Sequence, residues 1–160
     1  MKFNFKQFLV SVFAILLFFG VSLKADAYIA NMQDLDYSIQ KLQMLRTSNM
    51  SEYVKRGEII GNRLNDFEMI HRTYISSIDS AISRLQKIKE DINNFETMSG
   101  ISEKDKYAQI EDAFKDANIV IDEVNMRTND FVVNSSRPMP TITYERFKKK
   151  FWAFYYSLGL

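Results

Sequence analysis

Apolar residues recur with the period of a helix along most of this chain, and over two long stretches they do so without a slip. Leu64, Phe67, His71, Tyr74, Ile78, Ala81, Leu85, Ile88, Ile92 and Phe95 follow one another at alternating steps of three and four. Tyr107, Ile110, Phe114, Ala117, Ile121, Val124, Thr128 and Phe131 do the same. A seven-residue repeat of this kind lays one apolar seam along each helix, as in a coiled coil. The spacing predicts helices over 52–98 and 103–134. Between them lies Met98-Ser99-Gly100-Ile101-Ser102. Gly100 suits the left-handed position that ends a helix. Ser102 suits the N-cap of the next, and Glu103 and Asp105 follow where the helix dipole favours negative charge.

The two seams test each other. In an antiparallel hairpin, facing positions have a constant sum. Pairing Phe95 with Tyr107 fixes that sum at 202, and Ile92/Ile110, Ile88/Phe114, Leu85/Ala117, Ala81/Ile121, Ile78/Val124, Tyr74/Thr128 and His71/Phe131 keep it. A small residue faces a large one at 81/121 and 85/117, which lets layers interdigitate.

Shorter patterns flank the hairpin. Tyr28, Met32, Leu35, Ile39 and Leu42 predict a first helix over 28–47. Thr47-Ser48-Asn49 then break the pattern, and Ser51 can cap the helix that follows. Gly57 and Gly61 predict a kink early in the 52–98 helix, which otherwise forms a spine about 70 Å long at 1.5 Å per residue. Ile70, Ile75 and Ile82 widen its stripe beyond what one partner needs, which calls for a third helix. Residues 135–143 contain Pro138 and Pro140 and read as a linker. Thr143 can cap a last helix over 144–158, within a C-terminal segment 144–160. The predicted fold is all-α. It is an elongated helical hairpin inside a three- to four-helix bundle, with a coiled-coil-like seam.

Residues 1–27 follow a different logic. Lys2 and Lys6 precede an uncharged run from Gln7 to Leu23 with an apolar core, Phe8–Phe19. Lys24-Ala25-Asp26-Ala27 then offers small residues at the two positions a signal peptidase reads. The segment predicts an export signal cleaved after Ala27, leaving 28–160 as the mature, periplasmic or extracellular protein. The alternative is membrane anchoring by residues 8–23, a run somewhat short of the roughly 20 residues a span requires.

Charge sharpens the division. Residues 28–136 carry 13 basic and 18 acidic residues, whereas 137–160 carry five basic and one acidic. An acidic body is a poor match for phosphate, so no nucleic-acid partner is expected. There is no cysteine, which removes disulfides, thiolate metal sites and cysteine nucleophiles.

Candidate chemistry is sparse. His71 is the one histidine and sits in the seam, without a second ligand or a matched nucleophile. The methionines are scattered, so neither a copper cluster nor a haem ligand pair is expected. Glu90-Asp91 and Glu111-Asp112 point about 100° apart on a helix and read as solvated faces. No phosphate-binding glycine loop, nucleophile elbow or His-Glu-x-x-His motif occurs. We expect no enzyme, no catalytic residues, no metal and no cofactor.

The C-terminal segment is the most distinctive. Tyr144, Phe147, Phe151, Phe154 and Leu158 keep the core spacing, while Trp152, Tyr155 and Tyr156 lie off it, among Lys148, Lys149 and Lys150. Aromatics around a basic helix suit contact with a partner protein or, as the alternative, a lipid interface. The plainer reading folds the helix onto the widened stripe with its lysines reaching water. Lys148, Lys149, Lys150, Phe151, Trp152, Tyr155 and Tyr156 are the expected contact residues. The expected function is exported, non-enzymatic protein binding or scaffolding in a secretion or envelope assembly.

Overall fold

The computed structural model describes residues 28–48, 59 and 61–160. The leader, Gly57, Ser51 and the stretch 52–58 therefore lie outside the described residues. Among those described there are four α-helices and no strand, arranged as a helical bundle. They are α1 (Met32–Thr47), α2 (Asn62–Thr97), α3 (Glu103–Asn134) and α4 (Thr141–Ser157).

Helices α2 and α3 form the hairpin. Gly100 adopts φ +92° in the turn, and the Ser102 side chain accepts a hydrogen bond from the Asp105 amide at 3.2 Å to open α3. The Tyr74 and Thr128 hydroxyls meet at 2.9 Å, and the His71 and Phe131 rings lie 6.0 Å apart. Both pairs belong to the constant-sum series. Ile78, Ala81, Leu85, Ala117, Ile121 and Val124 are all buried between them.

The seam opens toward the turn. Ile88, Ile110 and Phe114 are half-buried and Tyr107 is exposed, so the layer pairing Phe95 with Tyr107 is not closed. Ile92 is fully buried even here, but two helices alone cannot enclose the Tyr107 ring from every side.

Among the described residues, helix α2 opens just after a glycine. Gly61 stands at φ +61°, ψ −133°, outside the right-handed helix, and Asn62 is the first helical residue. A break in the right-handed helix therefore falls at Gly61, where the glycines predict a kink, and the continuous 36-residue helix that follows is about 54 Å long at 1.5 Å per residue.

The first helix is shorter at its start than its pattern predicts. The Asn31 side chain accepts from the Asp34 amide at 2.9 Å and caps α1 at Met32. Residues 28–30 are thus extended rather than helical. That reverses two side chains: Tyr28 is exposed, and Ile29 is buried in its place. Asn118 makes this arrangement affordable, because its carboxamide accepts from the Ile29 N–H at 2.8 Å and donates to the Ile29 carbonyl at 2.9 Å. Leu35, Ile39, Leu42 and Leu45 then line the inner side of α1. Exposed ion pairs Asp36–Lys89 and Arg46–Asp79 mark its antiparallel course along α2; exposed pairs contribute little to stability.

Helix α4 starts at Thr141 rather than 144, because Pro140 serves as N-cap and its carbonyl accepts from the Tyr144 amide at 2.9 Å. A proline carbonyl can start a helix even though its nitrogen cannot continue one. The preceding turn buries Ser135, Pro138 and Met139. Asn125 holds α4 as Asn118 holds the start of the α1 segment. These two asparagines stand seven residues apart on one side of α3, so α1 and α4 share a face of the hairpin.

Candidate interaction surface

The buried stripe of α4 consists of Thr143, Phe147, Phe151, Tyr155 and Leu158. Phe147 packs edge-on against Phe67 and Phe131 at 6.1 and 5.8 Å. Phe151 meets Phe131 at 5.5 Å and Tyr74 at 6.4 Å. One aromatic junction therefore ties α2, α3 and α4. Fully burying a phenylalanine stabilises by roughly 1.5–3 kcal/mol, so Phe147 and Phe151 are major anchors of the tail.

Tyr155 takes the inward place that the seven-residue spacing gave to Phe154, which is only half-buried. Its hydroxyl can be buried because it has a partner. It donates to Asn125 Oδ1 at 2.6 Å, close to the Thr128 hydroxyl that meets Tyr74. Burial pushes the Tyr155 phenol up to about 12, and the nearby Thr128 hydroxyl partly opposes that. Burial raises the Tyr74 phenol further still. Neither can serve as an acid or base near neutral pH.

Of the seven residues expected to contact a partner, Phe151 and Tyr155 are thus consumed by the interior and offer no outward surface in this arrangement. The other five remain at the surface. Lys148, Lys149 and Lys150 are exposed, Trp152 is half-buried, and Tyr156 is 53% exposed. Trp152 stacks on Tyr156 with ring centres 5.4 Å apart and planes 18° from parallel. It is braced edge-on by Phe151 and Tyr155, each 5.5 Å away. Lys148 approaches the Tyr144 ring at 5.8 Å. Positions 144, 148, 152 and 156 each advance about one helical turn, so they form an aromatic-basic ladder along one side of α4.

Sequence reasoning missed the close of the tail. Lys41 is buried on α1, and its Nζ donates to the Gly159 carbonyl at 2.9 Å while lying 4.0 Å from the Tyr37 ring centre. Gly159 adopts φ +68°, and a Cβ there would sit 3.2 Å from Lys41 Nζ. A lysine amid the polar residues of α1 carries no periodic signal of this; the glycine just past the aromatic run does, since that is where helices end.

His71 stacks parallel to Phe67 at 6.1 Å, and its Nε2 is buried without a hydrogen-bond partner. Burial lowers its pKa, and the Glu68 carboxylate partly opposes this. The face of the hairpin away from α1 and α4 carries an open groove of about 630 Å³ near Thr73, Ser77, Ser80, Arg127 and Asp130. Its hydroxyls and one ion pair do not converge with His71 on a reacting centre. No group of three or more His, Asp or Glu among the described residues could hold a metal, and no described helix is long and apolar enough to cross a membrane. No protein-family model, curated protein or solved structure matches the chain.

Proposed function

We propose that this chain is an exported, non-enzymatic helical protein that binds other proteins within a secretion or envelope assembly. The outward side of α4 is the contact surface. The observation that carries this reading is the Trp152–Tyr156 stack at the outer side of α4, on a helix whose Lys148, Lys149 and Lys150 are all exposed. Large aromatics bury much area at low conformational cost, and they dominate the energetics of protein interfaces. Here the inner aromatics of α4 pin the helix, so the outer pair is presented on a fixed support.

Export rests on the basic, apolar and small-residue order of residues 1–27. Mass spectrometry of the native protein should find Tyr28 at its N-terminus. An intact leader would mean anchoring by residues 8–23 instead.

The contact reading is tested by a photo-crosslinker placed at position 156, together with flotation on anionic vesicles. The expected result is crosslinking to protein that is lost in K148E/K149E/K150E, with the chain staying in the lipid-free fraction. Flotation that the same charge reversal abolishes would overturn the reading in favour of a lipid surface.

A further inference from the structure

The fold leaves a second unusual surface uncovered. On α3 the seam takes Ile121, Val124, Thr128 and Phe131, and the side toward α1 and α4 takes Asn118, Asn125 and Val132. Ile119, Met126 and Val133 recur every seventh residue at the back of the helix, 51%, 69% and 55% exposed. Back positions of a hairpin ordinarily carry polar residues, because nothing removes them from water. The three stand two turns apart along about 21 Å of helix at 1.5 Å per residue, with Asp122, Glu123, Asn129 and Asp130 between them, so this side of α3 is a row of apolar side chains set among carboxylates.

Carboxylates flank the row. Glu123 is paired with Arg84 and Asp130 with Arg127, whereas Asp116 and Asp122 make no ion pair among the described residues. Helix α3 carries eight acidic and four basic residues, net −4. Helix α4 is the inverse, with four basic residues and one acidic, net +3. Lys148, Lys149 and Lys150 make no ion pair among the described residues either. An apolar row bordered by carboxylates is the complement of an aromatic pair bordered by amines.

These two surfaces do not satisfy each other within one molecule, since both are exposed in it. We propose that they meet between molecules: the outward side of α4 of one copy docks on the back of α3 of another. This rests on the reading of α4 as a contact surface and names its partner as a second copy. The two surfaces differ, so the contact is heterologous, and each copy that uses one surface still offers the other. Copies then add head to tail into a ring or an open chain. Charge at the rim makes the association sensitive to salt.

The test uses the purified mature protein, residues 28–160, with mass measured by light scattering and sedimentation. Mass should rise with concentration at low salt and fall as salt is added. K148E/K149E/K150E alone should be monomeric, because carboxylates then face carboxylates. D116K/D122K alone should be monomeric for the converse reason. Mixing the two variants should restore assembly, because each interface in the mixture again joins amines to carboxylates. Met126→Ser, which leaves every charge in place, should also weaken assembly. A wild-type chain that stays monomeric at low salt overturns the proposal. So does a mixture that fails to assemble while both variants keep wild-type circular dichroism. If the monomeric chain crosslinks from position 156 to a different envelope protein, self-assembly falls and the contact reading of α4 survives; if it captures no protein, both fall.

Discussion

Tyr74 on α2 and Thr128 on α3 share a 2.9 Å hydrogen bond inside the bundle, three residues along α3 from Asn125, which receives the Tyr155 hydroxyl of α4. This threonine hydroxyl therefore stands where three helices meet. Thr128→Val keeps the shape and removes the hydroxyl, leaving the Tyr74 phenol buried without this partner. Stranding a buried polar group costs about 1–3 kcal/mol. Urea denaturation should show a loss of that size. Tyr74→Phe in the same background should recover part of it, because the stranded group is then gone.

His71 makes stability depend on pH with a definite sign. Its folded-state pKa is lowered by burial, so between that value and the ordinary value of about 6.5 the unfolded chain binds more protons than the folded one. The stability contributed by the neutral ring is complete above the unfolded pKa. It is lost as pH falls below that value, and the loss levels off beneath the folded pKa. His71→Phe keeps the stack on Phe67 and removes the titration. The difference between wild-type and variant unfolding free energies, measured from about pH 7.5 to 5, should shift against the wild type as pH falls. A constant difference would contradict the buried, unpartnered Nε2.

The two classes of aromatic on α4 should separate cleanly by mutation. Phe151→Ala empties a fully buried site at the aromatic junction, and such truncations cost roughly 3–5 kcal/mol. Tyr156→Ser changes a residue that is half in water, so stability should move by less than about 1 kcal/mol. Thermal unfolding of the two variants checks this directly.

Gly159→Ala introduces a side chain at φ +68° and crowds Lys41 Nζ. The backbone cost of a non-glycine residue at such an angle is about 1 kcal/mol. Lys41→Met, which keeps the length and removes the donor, should be destabilising in wild type. It should be less so in the Gly159→Ala variant, where the contact is already strained.

The hairpin is legible in the sequence because its partners are bound to each other by arithmetic. Once Gly100 marks the turn, Tyr74 must face Thr128 and His71 must face Phe131. The places where reading fails are those decided by a group distant in sequence. Nothing near Tyr28 says that Asn118 will satisfy the Ile29 peptide and turn Ile29 inward. Nothing near Tyr155 says that Asn125 will receive its hydroxyl, so strict heptad spacing sent Phe154 to the core instead. At Gly61 the reading succeeds in part: the glycine marks a break in the right-handed helix, at φ +61°. The exposed ladder on α4 was half legible. Composition marked the segment, but only packing separates Trp152 and Tyr156 from Phe151 and Tyr155.

The link from Lys41 to Gly159 spans 118 positions of the chain. As synthesis proceeds from the N-terminus, the hairpin has both its arms once residue 134 has emerged, yet Phe67, Tyr74 and Phe131 still lack the rings that cover them. The final turn of α4 and its lysine latch come last of all. Closure of the bundle therefore waits until Gly159 has been made, since the latch on Lys41 needs its carbonyl.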